Sequence, residues 1–248
     1  MKSKIKLLIS RIFDYVVSQN ALIQENNKLI KENYWANVFN SSIQNSDFLI
    51  YKSLNPGRWG ASYSFLYVIY RILDEFHPEN VIEFGLGQTS KLTIQYSNKY
   101  QSNLNIIEHD ENWATAFKKN VPNNFNAEKY IKLYELEEYN NGYGKGYKYK
   151  NFSSRVFNAK FNLVIIDGPF GSEHNSRTEI LKIIEEDMLA DDFVIIIDDC
   201  ERIGEMETVD KIKESFDSKG IDYVFGSYSG EKKQVLFTNK KNKFLLSM

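Results

Sequence analysis

Apolar positions along the chain fall into two alternating patterns, short continuous runs and longer stretches with helical spacing. The short runs have strand character and lie at 80–84, 104–108, 129–134, 161–166 and 193–197. Strands that alternate with helices predict a mostly parallel sheet covered on both faces. Two final apolar segments, near 221–226 and 233–238, predict an antiparallel pair. The predicted fold is therefore α/β, a doubly wound sheet of seven strands with one antiparallel edge strand.

The first part of the chain has a different pattern, in which apolar residues recur at every seventh position. These residues are Leu8, Tyr15, Leu22 and Leu29. The spacing predicts one helix over residues 3–37, with Gln19 and Asn26 on the same secondary seam. Such a helix can pack on its own domain, associate with a second copy, or lie on a membrane surface through its basic start. We divide the chain into an N-terminal helix with its connecting loop, 1–61, and a main domain, 62–248.

The first predicted strand ends in a glycine turn that starts the next helix. Gly85 and Gly87 can take positive φ and let a ligand approach the backbone, and Thr89 or Ser90 can cap the helix. The dinucleotide pattern has a third glycine where this chain has Ser90. Because the Glu83 carboxylate would repel phosphates, the turn favours a cationic ligand such as S-adenosylmethionine over NAD or FAD. A purely structural turn is the alternative.

Acidic residues follow four of the predicted strands. They are Glu83, Glu108, Asp110, Asp167, Asp198 and Asp199. The carboxyl ends of parallel strands share one rim of the sheet, and ligands bind there in folds of this class. Glu108 follows the second strand, where an acid suits hydrogen bonds to ribose hydroxyls. His109 is expected to flank the cofactor.

Taken in order, these motifs resemble the class I S-adenosylmethionine-dependent methyltransferases over about residues 62 to 240. The matching segments are 83–87, 108–110, 167–171 and the closing hairpin. The resemblance implies that Gly85, Gly87 and Glu108 contact the cofactor and that Glu83 supports its amine side. We also predict Thr89, Ser90 and Asp167 as cofactor-binding residues.

The segment Asp167-Gly168-Pro169, with Asp198-Asp199 after the next strand, is similar to sugar and polysaccharide O-methyltransferases, including bacterial metal-dependent ones. The resemblance implies that Asp167, Asp198 and Asp199 hold a divalent cation. Three carboxylates without His or Cys favour Mg²⁺ or Mn²⁺ over zinc, and the cation would polarise a substrate hydroxyl. Alternatively, Asp198 and Asp199 cap the next helix or bind adenosine from the rim.

Other residues near this rim are candidates for catalysis or substrate binding. His174 is the candidate general base beside the catalytic Asp167, because its ordinary pKa lies near neutrality. Arg177 either binds an anionic substrate group or pairs with nearby glutamates. Trp59 lies in a turn-rich loop that could cover a ligand. The tyrosine-rich segment 137–158 is either a surface insertion that folds over a substrate or a mobile loop.

Composition restricts the compartment and the partners. The net charge of −2 gives no reason to expect nucleic acid as a partner, and one cysteine fits a reducing, cytoplasmic compartment. We see neither a signal peptide nor an apolar run long enough to span a bilayer. Self-association through the N-terminal helix is possible on this pattern.

The main functional hypothesis is methyl transfer from S-adenosylmethionine to an oxygen of a sugar in a surface glycan or of a related small metabolite. The same fold could instead methylate nitrogen or transfer an aminopropyl group. A third hypothesis is a non-catalytic, cofactor-binding scaffold of a glycan-synthesis complex.

Overall fold

A computed structural model describes residues 2–57 and 60–247, with side chains from residue 13 onward and that of Arg11. Trp59, the candidate lid residue, lies outside the described residues. The helices are α1 Lys2–Ser42, α2 Tyr63–Phe76, α3 Gln88–Tyr100, α4 Glu111–Asn120, α5 Glu179–Glu185 and α6 Ile203–Lys219. The strands are β1 Asn80–Phe84, β2 Asn103–Glu108, β3 Ile131–Leu133, β4 Leu136–Asn140, β5 Lys145–Tyr149, β6 Phe161–Ile166, β7 Leu189–Ile197, β8 Val224–Ser229 and β9 Lys233–Thr238.

Seven of these strands form one twisted sheet in the order β3-β2-β1-β6-β7-β9-β8. β9 runs antiparallel to both β7 and β8, and the remaining pairs are parallel. The predicted seven-stranded, mostly parallel sheet with its reversed strand at this end is confirmed, and β8 is the outermost strand there. The chain moves outward from β1 in one direction and returns to its other side at β6, so a ligand crevice is expected beyond these two strands.

Side chains of successive strand residues point to opposite faces of the sheet, and each face has its own apolar layer. Val81 packs with α2 and α3 on one face, whereas Ile82 and Phe84 pack with α5 and α6 on the other. The Ser62 hydroxyl accepts a hydrogen bond from the Phe65 amide and caps α2, as its sequence position predicts. Both layers exclude water from the sheet and hold its carboxyl edge rigid.

The N-terminal helix α1 is longer than predicted, and the contacts of its described side chains with the body lie near its end. Trp35, Phe39 and Ile43 are buried in the same layer as α2. The apolar side chains between residues 13 and 34 are largely exposed. Among the described residues, no helix combines the length and the apolar character that a membrane crossing needs.

The tyrosine-rich segment 137–158 has regular structure. Strands β4 and β5 pair in an antiparallel hairpin, and Tyr149 and Phe152 are buried against Phe84. The alternation of Tyr147 and Tyr149 with polar neighbours is a strand pattern that the many glycines obscure. The hairpin also contacts the loop at 171–177: the Asn141 amide donates to the His174 carbonyl (2.6 Å), and the Tyr139 hydroxyl donates to the Asn175 carbonyl (3.1 Å).

Candidate functional site

A cavity of about 480 Å³ opens beyond the carboxyl ends of β1, β2, β6 and β7. Its wall includes the glycine turn, residues 108–110, residues 167–171 and the side chains of Arg177, Asp199, Arg202 and Lys232. This volume is typical of small-molecule sites. The sequence prediction placed the ligand site at this edge, and the candidate residues that it named here do meet around one space.

The glycine turn touches the neighbouring turn at 167–169 through backbone atoms. Gly85 has a φ of +94°, and a Cβ there would lie 3.0–3.2 Å from backbone atoms of Asp167 and Gly168. A Cβ on Gly168 would lie 2.8 Å from Gly85. Positive φ is therefore used at Gly85, but Gly87 is extended, with a φ of −161°. Gly87 caps α3 and has open space where a Cβ would stand, on the cavity wall.

Glu83 lies behind this turn and is not part of the cavity wall. Its buried carboxylate accepts hydrogen bonds from the hydroxyls of Thr89 (2.6 Å), Ser90 (2.9 Å) and Thr93 (2.6 Å). Burial raises the pKa of Glu83 to about 6, although these donors lower it. The Ser90 hydroxyl also accepts a hydrogen bond from the Gly87 amide (2.9 Å). Glu83, Thr89 and Ser90 thus fix the shape of the turn from beneath, whereas the sequence prediction had them contact the cofactor.

Glu108 stands on the cavity wall at the end of β2. One carboxylate oxygen accepts a hydrogen bond from the Leu86 amide (2.9 Å). The other accepts hydrogen bonds from the amides of His109 (2.6 Å) and Asp110 (2.8 Å). Burial alone would raise the pKa of Glu108, but the His109 ring, whose Nδ1 lies 2.9 Å from one carboxylate oxygen, and these backbone hydrogen bonds hold it below its usual value. The carboxylate is therefore charged and fixed in direction. The Glu108 oxygen that accepts the hydrogen bond from Leu86 can accept one more, since a carboxylate oxygen can accept two hydrogen bonds.

Aromatic rings complete this side of the cavity. Trp113, in the first turn of α4, donates its indole N–H to the Leu86 carbonyl (2.7 Å). The His109 ring meets Phe170 edge to face, with ring centres 4.5 Å apart. Tyr149 reaches the wall from the β4–β5 hairpin and donates its hydroxyl to the Ile107 carbonyl (3.2 Å). These flat surfaces could hold a purine or another ring.

Asp167, Asp198 and Asp199 form an acid cluster on the other side of the cavity, with oxygen atoms within 4.8 Å of one another. Burial and the neighbouring Asp198 raise the pKa of Asp167 to about 7, although 23% of its side chain is exposed at the cavity. Asp198 is fully buried and accepts a hydrogen bond from the side-chain amide of Gln234 (2.7 Å). The predicted convergence of the three acids is thus observed, with Asp167 and Asp199 facing the cavity.

Three cations balance this acid cluster. Arg177 contacts Asp199 (2.8 Å) and Asp167 (3.4 Å), and Arg202 contacts Asp199 (3.0 Å). The Lys232 ammonium lies 3.1 Å from Asp199 and 3.3 Å from Asp198. Burial alone would raise the pKa of Asp199, but these cations hold it below its usual value.

The acid cluster provides the oxygen ligands that Mg²⁺ or Mn²⁺ prefers. However, both Asp199 oxygens and one Asp198 oxygen already lie within ion-pair distance of Lys232 or the two arginines. A divalent cation fits this set only if Lys232 is displaced, so the residues as arranged do not fit the metal that the sequence resemblance implies.

Two predicted site residues have other surroundings than expected. His174 does not line the cavity: its ring stacks on Tyr143, and its Nδ1 lies 2.7 Å from a Glu207 oxygen. This placement gives no support to a role as general base. Arg177 is buried, and it is occupied by aspartates of the cluster, by Glu205 and by the Pro169 carbonyl, so a substrate anion would have to compete for it.

The sequence reasoning missed three residues on the wall, Trp113, Tyr149 and Lys232. An aromatic residue one helical turn after the second-strand acid was a usable signal for Trp113. The strand alternation in β5 could have indicated Tyr149. Lys232 had no local signal, because it comes from the β8–β9 turn, far along the chain from Asp167.

Comparison with known proteins identifies the fold. No protein-family model matches the sequence, and a comparison with curated proteins also finds no match. Among solved structures, a candidate caffeoyl-CoA O-methyltransferase from Staphylococcus aureus is similar, with a TM-score of 0.50 and 12% identity. The alignment covers 85% of this chain and 100% of that one. The chain shares the Rossmann-like fold of that structure.

Two other similar structures carry bound SAH (S-adenosylhomocysteine). One is a methyltransferase of Podospora anserina (TM-score 0.48, 9% identity, covering 92% of this chain and 96% of that one). The other is an O-methyltransferase of Bacillus cereus (TM-score 0.45, 14% identity, covering 84% and 90%). At these identities the similarity is one of fold alone.

Proposed function

We propose that this chain is an S-adenosylmethionine-dependent methyltransferase that transfers a methyl group to an oxygen atom. The observation that carries the proposal is the position of Glu108. Its fixed, charged carboxylate shares a cavity with the glycine turn and with an acid of raised pKa. This combination suits a ligand with ribose hydroxyls at one end and a positive charge at the other.

The cofactor would lie along the glycine turn. Glu108 would accept a hydrogen bond from a ribose hydroxyl, and Trp113 and His109 offer surfaces for the adenine. The open side of Gly87 allows the backbone of the turn to approach the methionine portion. Glu108 contacts no arginine or lysine among the described residues, and its negative charge would repel a pyrophosphate placed beside it. Glu83, Thr89 and Ser90 would act by keeping the turn in shape.

Asp167 is the proposed general base. It faces the cavity, and its raised pKa of about 7 balances proton affinity against ionisation near neutral pH. Asp167 would accept the proton of an acceptor hydroxyl while the oxygen forms a bond to the methyl carbon. The carbon–sulfur bond breaks at the same time, and the electron pair stays on sulfur, which becomes a neutral thioether.

The acceptor class that we propose is a sugar of a surface glycan or a related small metabolite with a hydroxyl group. Supporting features are the exposed ring of Phe170, which can stack on a sugar face, and the half-exposed Arg202, which can bind its polar groups. A cation such as Mg²⁺ or Mn²⁺ would lower the pKa of the acceptor hydroxyl if it were bound by the acid cluster. We derive no step through it, because Lys232 contacts the oxygens it would need.

Titration calorimetry with S-adenosylmethionine and S-adenosylhomocysteine tests the proposal. We expect one site per chain for each ligand, and absence of binding by the folded protein would refute it. Turnover with a panel of sugars, phenols and amines, followed by product mass, then identifies the transferred group. A gain of one methylene unit on a hydroxyl acceptor is expected. An aminopropyl gain or an N-methyl product would replace the O-methyl assignment, and cofactor binding without turnover on any acceptor would favour a scaffold.

A further inference from the structure

Lys232 lies where the chain leaves the β8–β9 turn and enters β9. Its ammonium is 3.1 Å from an Asp199 oxygen and 3.3 Å from an Asp198 oxygen, and only 12% of its side chain is exposed. Flanking backbone bonds hold the turn: the Gly230 amide donates to the Lys232 carbonyl (2.9 Å), and the Cys200 amide donates to the Lys233 carbonyl (2.8 Å). These backbone hydrogen bonds therefore fix the position from which the Lys232 ammonium contacts the acid cluster.

The charges around Lys232 are nearly balanced. Four carboxylates, those of Asp167, Asp198, Asp199 and Glu205, are in contact with three cations, Arg177, Arg202 and Lys232. A divalent ion added to this set would leave it positive and would place two charges of the same sign a few ångströms apart. Without Lys232, the same set would carry an excess of two negative charges, which a divalent ion matches.

We infer that the Lys232 ammonium takes the place of a divalent cation in the acid cluster, so that this chain does not bind Mg²⁺ or Mn²⁺ there. Lys232 is then a positioning residue: it holds Asp198 and Asp199 and presents a fixed positive charge beside Asp167. Any influence of this positive charge on an acceptor hydroxyl rests on the proposed function. The exclusion of a metal ion by Lys232 does not rest on it.

The experiment measures Mn²⁺ binding to the full chain by electron paramagnetic resonance and calorimetry, which does not require turnover. We expect no site tighter than about 1 mM in the wild type and a gain of at least tenfold in affinity in Lys232→Gln and Lys232→Ala. Lys233→Gln, with the same loss of charge one residue away, is the matched control and should stay like the wild type. Adding Asp198→Asn to Lys232→Ala should abolish the new site.

Stoichiometric Mn²⁺ binding by the wild type would overturn the inference. So would failure of both Lys232 variants to bind Mn²⁺ while circular dichroism shows them folded. If methyl transfer is detected, EDTA should leave wild-type turnover unchanged, and loss of turnover with EDTA would also overturn it. A chain without any methyl transfer would fail the proposed function and still give a readable metal result.

The exposed part of α1 carries a second, independent inference. Between residues 13 and 34, three apolar residues recur at exact sevenfold spacing, and a second apolar series stands one position later. They are Tyr15, Leu22 and Leu29, and then Val16, Ile23 and Ile30, each between 49% and 66% exposed. Gln19, Asn26 and Asn33 complete the seam. By helical periodicity, this stripe lies away from Trp35 and Phe39, which contact the body.

We propose that this stripe packs against the same stripe of another copy of the chain, as a parallel, in-register coiled coil. Polar residues at seam positions specify the register of a coiled coil at a cost in stability, because they hydrogen-bond only when they meet in register. No charged residue lies on the stripe between residues 15 and 30, so the stripe is compatible with itself.

Cysteine cross-linking tests both the partner and the register. The native Cys200 is buried and should not interfere. Asn26→Cys should give a covalent dimer under mild oxidation, since a parallel, in-register pair brings residue 26 onto itself. Gln24→Cys, on another side of the helix, is the control and should remain uncross-linked.

Sedimentation gives the second readout. The wild type should sediment as an oligomer, and Leu22→Asp combined with Leu29→Asp should sediment as a monomer with unchanged fold. A monomeric wild type would overturn the inference, and so would cross-linking that is equal at positions 24 and 26. If the protein is a monomer and co-sediments with anionic lipid vesicles, the partner of the stripe is a membrane surface and not a second copy of the chain.

Discussion

The two sides of the cavity solve the problem of holding a buried carboxylate in different ways. Glu108 is held by the backbone amides of Leu86, His109 and Asp110, which are fixed once the strand and turn have formed. The acid cluster is held by Arg177, Arg202 and Lys232, whose charged groups come from three separate segments. The first arrangement is local and rigid, whereas the second depends on long-range assembly.

This difference assigns distinct tasks to the two sides. Backbone amides cannot lose their polarity, so the Glu108 side suits constant recognition of one cofactor. In the acid cluster, each charge sets the proton affinity of its neighbours, and this control of pKa suits chemistry. Substitutions should therefore separate binding from turnover, according to the side on which they fall.

Asp167→Asn should have the largest effect. Removing the proposed base should lower turnover by about 10²–10⁴-fold, a range typical of general-base catalysis. Cofactor affinity should change by less than about tenfold, because Glu108 and the glycine turn remain. Initial rates and calorimetry on the same preparation measure both quantities. Equal losses in binding and turnover would mean that the two sides do not act separately.

Glu108→Gln should mainly weaken cofactor binding. The neutral amide keeps the size of the side chain but cannot accept the Leu86, His109 and Asp110 amides as a carboxylate does. Hydrogen bonds to a charged group contribute about 1.5–3 kcal/mol, which corresponds to about a 10–100-fold loss of affinity. Saturating cofactor should restore most of the turnover. A turnover defect that saturation does not rescue would contradict the division of tasks.

The pH profile should follow Asp167. Its pKa of about 7 means that the carboxylate, the form that accepts a proton, increases as pH rises. Turnover at saturating substrate should therefore rise about tenfold between pH 6 and pH 8 and then level off. Cofactor affinity should be nearly flat over the same range, since Glu108 has a lowered pKa and stays charged. A profile that falls with rising pH would exclude Asp167 as the base.

Gly168→Ala tests the backbone contact that joins the two sides. The added Cβ would lie 2.8 Å from Gly85, and backbone must shift to accommodate it. Overpacking of this kind costs about 1–3 kcal/mol, so the melting temperature should fall by several degrees. Gly144→Ala, in the open tip of the β4–β5 hairpin, has nothing within 4 Å and serves as the control. Thermal unfolding of both variants should show the difference.

His174→Gln should have the smallest effect. The His174 ring lies outside the cavity wall, against Tyr143 and Glu207, so turnover should stay within about twofold of the wild type. A loss comparable to that of Asp167→Asn would return the role of base to His174. Rates at several pH values would detect such a role.

The same comparison explains how far the sequence could predict the site. Gly85, Glu108 and the order of strands were predictable because strand ends, glycines and acids are local features of the chain. The role of Glu83 was not, since three hydroxyls on α3 turn its carboxylate inward. Lys232 could not be placed without the tertiary fold. Its contact with Asp198 depends on β9 running antiparallel beside β7, which brings residues 34 positions apart together.

The β4–β5 hairpin gives the molecule a replaceable part. Within the hairpin, Gly146 and Tyr149 are buried, while the tip reaches the loop at 171–177 through Tyr139 and Asn141. An engineer could exchange the hairpin tip as a cassette, between Leu136 and Tyr149, without cutting any strand of the main sheet. Related enzymes could diversify in the same way, changing which molecules they accept while inheriting the donor site intact.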